Sequence, residues 1–309
     1  MAIQSFGLGK IFSDLYTVFL FTQSDIRLAL IPVTLFAVAA APLSSPLRLI
    51  DTVLWIWLHS LQCDVANQIK VLDEDRINKP SRPIPAGRIT VHDATILRWA
   101  LVPICLAFSA LYGVQLTFVS LLMLLFTAWY NECDGDKEPL SKNVLTAIMY
   151  GCLEMGGTLV AARDHTQLSL TGQIATGLTV AVFSSTLHAQ DFKDADGDRQ
   201  TGRRTFPIAY PVISRIAIGL AIPLWSILLA LMWELDILSA TAFVAYGCFV
   251  GTRFMLYRSG LDDKRSCKYY STWFSLHHLF PAYWYYYHGN NRHPSLAFVE
   301  HILNGFIVV

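Results

Sequence analysis

Asn67-Gln68-Ile69-Lys70-Val71-Leu72-Asp73-Glu74-Asp75-Arg76-Ile77-Asn78-Lys79-Pro80-Ser81-Arg82-Pro83-Ile84-Pro85-Ala86-Gly87 is the stretch from which the architecture of this chain is read. It closes an apolar run, sets down the acids Asp73, Glu74 and Asp75, and packs Lys79, Arg82 and three prolines behind them. A second stretch, Asp191-Phe192-Lys193-Asp194-Ala195-Asp196-Gly197-Asp198-Arg199, follows a later apolar run in the same way. Carboxylates this dense repel one another unless cations neutralise them. Two such clusters at the ends of apolar runs point to a site for divalent metal and an anionic ligand.

The residues around them make the apolar runs membrane spans. Of 309 residues, 54% are hydrophobic and 15% charged, and mean hydropathy is +0.43. A soluble domain carries about 25% charged residues. The expected fold class is all-α: a polytopic membrane protein with about nine spans, each long enough for the ~30 Å hydrocarbon core. They fall near 26–43, 49–70, 96–112, 114–131, 143–162, 169–190, 211–232, 236–257 and 267–287. Residues 1–25 interleave Ile11, Phe12, Leu15, Tyr16 and Phe19 with polar residues and suit an interfacial segment. Ser24 and Asp25 offer an N-cap to the first span. Residues 26–288 then form one transmembrane domain, and the tail 289–309 is expected to end in a short helix lying on the membrane.

Charge sets the orientation. With the N-terminus and the loops 71–95, 132–142, 191–210 and 258–266 on one side, only Arg48, Arg163 and Arg292 of the 23 Lys+Arg fall on the other. By the positive-inside rule the first side, with both acidic stretches, is cytosolic. Formal net charge is zero, so nothing points to nucleic acid. No obligate protein partner is implied; the surroundings are membrane lipids. The six cysteines are scattered without a Cys-x-x-Cys pair and frame neither a disulfide set nor a zinc site. The start lacks the basic segment and cleavage site of a signal peptide, so targeting is expected to fall to the first membrane helix.

On a continuous helix Asp191, Asp194 and Asp198 stand at i, i+3 and i+7, on one face. Asn67 and Glu74 are seven apart and Asp75 is eight from Asn67, so each set can aim several oxygens into one space. Carboxylates and an amide carbonyl are the ligands hard Mg²⁺ takes, with substrate phosphate completing its shell. The prolines of Lys79–Pro85 restrict the backbone. A stiff loop can hold the fork of Arg82 over a diphosphate. The alternative, a solvated acidic loop, serves for one cluster but not for two at matching helix ends flanked by Lys79, Arg82, Arg203 and Arg204.

These two motifs resemble those of the UbiA superfamily of intramembrane prenyltransferases. Its first, N-D-x-x-D-x-x-x-D followed by R-P-x-P-x-G, lies over Asn67 to Asp75 and Arg82-Pro83-Ile84-Pro85-Ala86-Gly87. Its second, D-x-x-D-x-x-G-D-R followed by G-x-R-T, lies over Asp191, Asp194, Gly197-Asp198-Arg199 and Gly202-Arg203-Arg204-Thr205. The resemblance implies nine helices around a central cavity. It also implies Mg²⁺ held by Asn67, Glu74, Asp75, Asp191, Asp194 and Asp198, and an isoprenyl diphosphate held by Lys79, Arg82, Lys142 and Arg203. Tyr130 and Asn131 match further substrate contacts of the family. The first motif departs from the family: Gln68 and Val71 stand where aspartates are usual, and Glu74 is the best geometric substitute. This altered form looks like the fungal branch of UbiA-type terpene cyclases.

Other candidates carry two readings each. Lys142 is a diphosphate contact or a plain cytosolic flank. Tyr270, Trp273, Phe274 and His277 share one helical face; they stabilise a carbocation through their π faces or pack as core. Glu154 lies inside a span, where an ionisable group is functional by default. It is a terminal base or a neutral acid bonded to a neighbouring helix. His188, just ahead of Asp191, is read as structural. The leading function is a Mg²⁺-dependent terpene cyclase that ionises farnesyl or geranylgeranyl diphosphate and closes rings on the cation. The alternative is a prenyltransferase passing that cation to an aromatic or other small acceptor. A transporter has no need of paired acids at matching cytosolic helix ends. The endoplasmic reticulum membrane is the expected location.

Overall fold

A computed structural model describes residues 2–41, 43–289 and 292–294. The short terminal helix expected in the tail lies outside the described residues. Fourteen α-helices are present among those described: α1 (Ala2–Thr22), α2 (Ile31–Ala40), α3 (Pro46–Lys70), α4 (Leu72–Asn78), α5 (Val91–Ala110), α6 (Val114–Asn131), α7 (Pro139–Ala161), α8 (Leu170–Thr186), α9 (Ala195–Gln200), α10 (Phe206–Ala209), α11 (Pro211–Met232), α12 (Ile237–Leu256), α13 (Gly260–His277) and α14 (Phe280–His288). No strand occurs among the described residues.

The long helices are apolar on the outside as well as within. Along α11, Ile216, Leu220, Leu224, Ile227 and Leu231 recur at helical spacing and are exposed, while Ile218, Ile222 and Leu229 are buried. In water that outer stripe would be polar; facing lipid, it need not be. Ser169 and Asp236 cap α8 and α12 by accepting their first free backbone amides.

The helix at the centre is α7. Some 72% of its most apolar 18-residue window is buried, against 22% for α5 at the periphery. Its Gly156 and Gly157 let α3 come close: a Cβ on Gly156 would stand 1.9 Å from the Trp55 ring, and one on Gly157 3.0 Å from Ile56. Both aromatic and aliphatic partners are fully buried. The α3–α7 contact therefore depends on two missing side chains.

The nine expected spans are not nine straight helices. Among the described residues six helices are long and apolar enough to cross a membrane, and the pair Gly9–Thr22 and Ile26–Ala40 is long and apolar enough only when taken together, across a bend of 61°. α3 has 25 residues but a polar inner face, which lowers its apolarity. The expected span 267–287 is divided at His278 and Leu279 into α13 and α14. Pro281 early in α14 explains the division, since proline starts a helix well and continues one poorly.

Candidate active site

One cavity of about 290 Å³ opens between α3, α4, α6, α7, α8 and the segments that follow α8. That is close to the lower end for small-molecule sites, roughly 300–1,000 Å³. Its character changes along each wall. On α7 it passes from Lys142 through Thr146, Met149 and Tyr150 to Leu153, a rise of roughly 16 Å. On α3 the cavity face reads Val71, Asn67, Asp64 and Ser60 in the same direction. Charge is concentrated at one end and apolar surface at the other.

The first motif is delivered by a break. α3 ends where Val71 leaves helical geometry (φ −96, ψ 27), and the short α4 then points Glu74, Asp75 and Asn78 into the cavity. Asp73 points away and pairs with Arg76 at 2.7 Å. Gln68 is fully buried away from the cavity and donates to the Phe21 carbonyl at 2.8 Å, tying α1 to α3. The two family departures thus differ physically. Val71 lines the cavity and removes an acid from it; Gln68 is a structural tie.

The second motif is not the continuous helix that its spacing suggested. Leu187–Gln190 and Phe192–Asp194 are 3₁₀ turns, and α9 follows. The three acids still converge, because in 3₁₀ geometry residues three apart eclipse. Asp191 and Asp194 are so aligned, and Asp198 joins them one α turn later.

One acid of each motif is held by a cation belonging to the other. Lys79 of the first loop lies 3.2 Å from Asp194, and Arg203, beyond the second motif, binds Glu74. Arg203 also reaches Asp136 at 3.4 Å, which Lys70 meets at 2.7 Å. Arg82 donates to both Asp75 oxygens at 2.9 and 2.8 Å, and Lys142 binds Asp191. Asn78 donates to Asp198 Oδ1 at 3.0 Å and to the Asp194 carbonyl at 3.3 Å. It passes over Gly197, where a Cβ would stand 2.0 Å from its Oδ1, so only glycine leaves Asn78 in this place. Burial raises the Glu74 pKa above its ordinary value despite the adjacent Arg203. Burial opposes the charge on Arg203, but Tyr130, Glu74 and Asp198 outweigh it and hold the guanidinium protonated.

Among the described residues no three carboxylates approach closely enough to hold an ion unaided. Glu74, Asp75, Asp191, Asp194 and Asp198 are each turned toward a cation or amide instead. The donor set nonetheless fits Mg²⁺, which takes one or two carboxylates, water and substrate phosphate rather than a complete protein cage. Asp191 Oδ2 and Asn131 Oδ1 are buried oxygens without a hydrogen-bond partner at this end.

The candidates picked for the hydrocarbon chemistry lie elsewhere. Tyr270, Trp273 and Phe274 are fully buried but do not line the cavity. Tyr270 meets the Thr186 hydroxyl at 2.9 Å, Trp273 donates to Ser226 at 2.9 Å, and Phe274 stacks on Phe183 at 4.6 Å. The rings on the cavity are Tyr130, Tyr150 and Phe183. Glu154 is also off the cavity and fully buried, with Oε1 3.0 Å from His278 Nε2. His188 reaches the Ser214 carbonyl at 3.3 Å, a structural bond as expected.

Asp64, Asn78, Tyr150 and Phe183 line the cavity without having been singled out, and Asp25, expected to cap the first span, lines it too and makes no side-chain cap bond. For Asp64 a signal existed: it is an acid inside an apolar run, the feature that drew attention to Glu154. It also stands three residues before Asn67, on the same helix face.

Residues 29–276 match the UbiA prenyltransferase family. The chain is 34% identical over 281 residues to the fumagillin beta-trans-bergamotene synthase of Aspergillus fumigatus, covering 90% of this chain and 96% of that enzyme. It is 31% identical to a polyprenyl transferase of Hericium erinaceus over 62% of this chain and 67% of the relative. Its fold resembles a UbiA homologue of Archaeoglobus fulgidus solved with GPP and Mg²⁺, with a TM-score of 0.63 at 14% identity, covering 86% and 99% of the two chains. The break-delivered acids, the charged-to-apolar cavity and these matches agree: the chain belongs to the UbiA prenyltransferase family.

Proposed function

We propose that this chain is a Mg²⁺-dependent membrane terpene cyclase that ionises a linear isoprenyl diphosphate, farnesyl or geranylgeranyl, and cyclises the resulting cation. The observation that carries the reading is the gradient along α7, with Lys142 at the acidic end and Leu153 in the apolar end of one cavity. A diphosphate with a hydrocarbon tail has the same polarity. The 34% identity to a terpene synthase over nearly the whole chain supports the cyclase over other activities of the family.

Asn67, Glu74 and Asp75 on one side and Asp191, Asp194 and Asp198 on the other are the proposed Mg²⁺ ligands. Bound Mg²⁺ would neutralise the diphosphate and stabilise its departure. Lys79, Arg82, Lys142 and Arg203 now face carboxylates. On binding they exchange these for diphosphate oxygens, with charge-assisted hydrogen bonds to both. The apolar end, with Met123, Leu153, Phe183 and Leu187, folds the chain and keeps water from the cation. Tyr150 and Phe183, rather than Tyr270, Trp273 and Phe274, present π faces to it. We place the transmembrane domain at 26–288 and orient the acidic end toward the cytosol, in the endoplasmic reticulum membrane.

A prenyltransferase is the second reading, favoured by the Hericium relative. One experiment separates the two. Membranes carrying the protein are incubated with Mg²⁺ and farnesyl or geranylgeranyl diphosphate, and the extract is analysed by gas chromatography and mass spectrometry. A cyclic product formed without acceptor and lost with chelator supports the cyclase. A product only when a phenolic acceptor is added supports the transferase.

A further inference from the structure

We propose that Asp136 is a positioning residue for diphosphate binding: it holds Arg203 at the charged end of the cavity once Mg²⁺ takes Glu74. The assignment rests on the reading above, in which Glu74 binds the metal and Arg203 the diphosphate.

The Arg203 guanidinium is divided between two acids. Its Nη1 binds Glu74, and its Nη2 donates to Asp136 Oδ2 over 3.4 Å. Glu74 lines the cavity; Asp136 does not, and is only 6% exposed. The other three proposed diphosphate cations have no second acid of this kind among the described residues. Lys79 pairs with Asp194, Lys142 with Asp191 and Arg82 with Asp75, and all three acids line the cavity as proposed metal ligands. Metal that draws in those acids releases Lys79, Lys142 and Arg82 to the ligand. Arg203 alone of the four keeps a carboxylate that neither metal nor substrate reaches. A buried charge without a partner is costly. Without Asp136, the guanidinium would stay on Glu74 and compete with the metal for it.

Asp136 is itself fixed in place. The connection from α6 to α7 passes through Asp134 in left-handed backbone (φ 58), a conformation that aspartate tolerates better than most residues. The Gly135 amide then donates to the Trp129 carbonyl at 3.0 Å. A Cβ on Gly135 would stand 2.9 Å from that carbonyl oxygen. Lys70 grips the turn from the end of α3, its ammonium 2.7 Å from Asp136 Oδ1 and 3.0 Å from Asp134 Oδ1. It directly precedes Val71, where α3 breaks to deliver Glu74. The acid behind the wall and the acid on it are therefore carried on one frame, with the Arg203 fork between them.

The test uses the full-length protein in detergent with Mg²⁺ and inorganic diphosphate, and reads affinity from the rise in melting temperature with ligand, so that no turnover is needed. Asp136→Asn keeps shape and removes charge. The apparent Kd for inorganic diphosphate in Mg²⁺ is expected to rise roughly 10–100-fold. Arg203→Gln should also raise it. Asp136→Asn added to Arg203→Gln should raise it no further, because residues that act through one another do not add. Wild-type affinity in Asp136→Asn overturns the assignment. Losses that add in the double variant overturn it too, since they would make Asp136 a structural acid independent of Arg203. Asp136→Glu covers the case in which Asp136→Asn does not accumulate folded. It should change the affinity in the wild-type background and not in Arg203→Gln; an equal change in both, or none in either, overturns the proposal. Wild-type protein that shows no Mg²⁺-dependent binding of inorganic diphosphate removes the underlying reading of the site. Failure of the Asp136 outcomes alone leaves that reading standing.

Discussion

Asn78 and Asp198, 120 residues apart, meet side chain to side chain, the Asn78 amide donating to Asp198 Oδ1 over 3.0 Å. The contact joins α4 to α9 and so fixes the separation of the two acidic motifs. Gly197 makes it possible, since the Asn78 amide occupies the space a Cβ would take. A hydrogen bond to a charged group contributes roughly 1.5–3 kcal/mol. Asn78→Ala is therefore expected to raise the Mg²⁺ concentration for half-maximal diphosphate release by about tenfold or more, each 1.4 kcal/mol being a factor of ten. Gly197→Ala should do the same by pushing Asn78 aside. Wild-type Mg²⁺ titrations in both variants would remove the seam from the mechanism.

Asp194→Ala and Asp198→Ala are expected to abolish diphosphate release while the protein still inserts and purifies. Normal turnover in either excludes its metal role. Glu74 and Asp73 provide an internal control, being adjacent but oppositely directed. Glu74 faces the cavity and Arg203, whereas Asp73 pairs with Arg76 outside it. Glu74→Ala should cost at least about a hundredfold in rate, and Asp73→Ala little. Equal losses would withdraw Glu74 as the substitute for the acid missing at Val71.

Acidification should weaken the response to metal. Burial raises the Glu74 pKa above its ordinary 4.5. Its protonated form is therefore populated at higher pH than that of a free glutamate, and a protonated carboxyl is a poor cation ligand. As pH falls toward and through the raised value, the Mg²⁺ needed for half-maximal activity should increase. Chelator should stop turnover at any pH. A Glu74→Gln variant should lose this part of the pH dependence. If wild type and variant show the same dependence, Glu74 does not hold the metal.

Core and cavity aromatics should respond differently. Trp273 is fully buried outside the cavity, so Trp273→Ala is expected to destabilise by roughly 3–5 kcal/mol, visible as a lowered melting temperature in detergent. Products made by the surviving folded protein should be unchanged. Phe183→Leu, on the cavity wall, should alter the product mixture with a smaller loss of stability. Glu154→Ala should behave as Trp273→Ala does, because it empties the fully buried space beside His278 Nε2, which stands 3.0 Å from Glu154 Oε1. A new product spectrum from Trp273→Ala or Glu154→Ala would return these residues to the chemistry.

Membrane class, helical content, the acid-rich helix ends and the motif cations were legible in the sequence, because each depends on local composition and spacing. Apolar runs of span length have few alternatives in lipid, and acids at helix ends are visible without a fold. Val71 and Gln68 were visible as departures, but not that one faces the cavity and the other the Phe21 carbonyl. The tertiary structure alone decided which buried groups reach the substrate space. Tyr270 and Trp273 have the same apolar periodicity as a cavity wall, yet they look into the protein. Asp64 and Glu154 are both acids in spans, yet only Asp64 lines the cavity. Helical spacing fixes which residues share a face; the packing of neighbouring helices, such as Trp55 on Gly156, determines what that face meets.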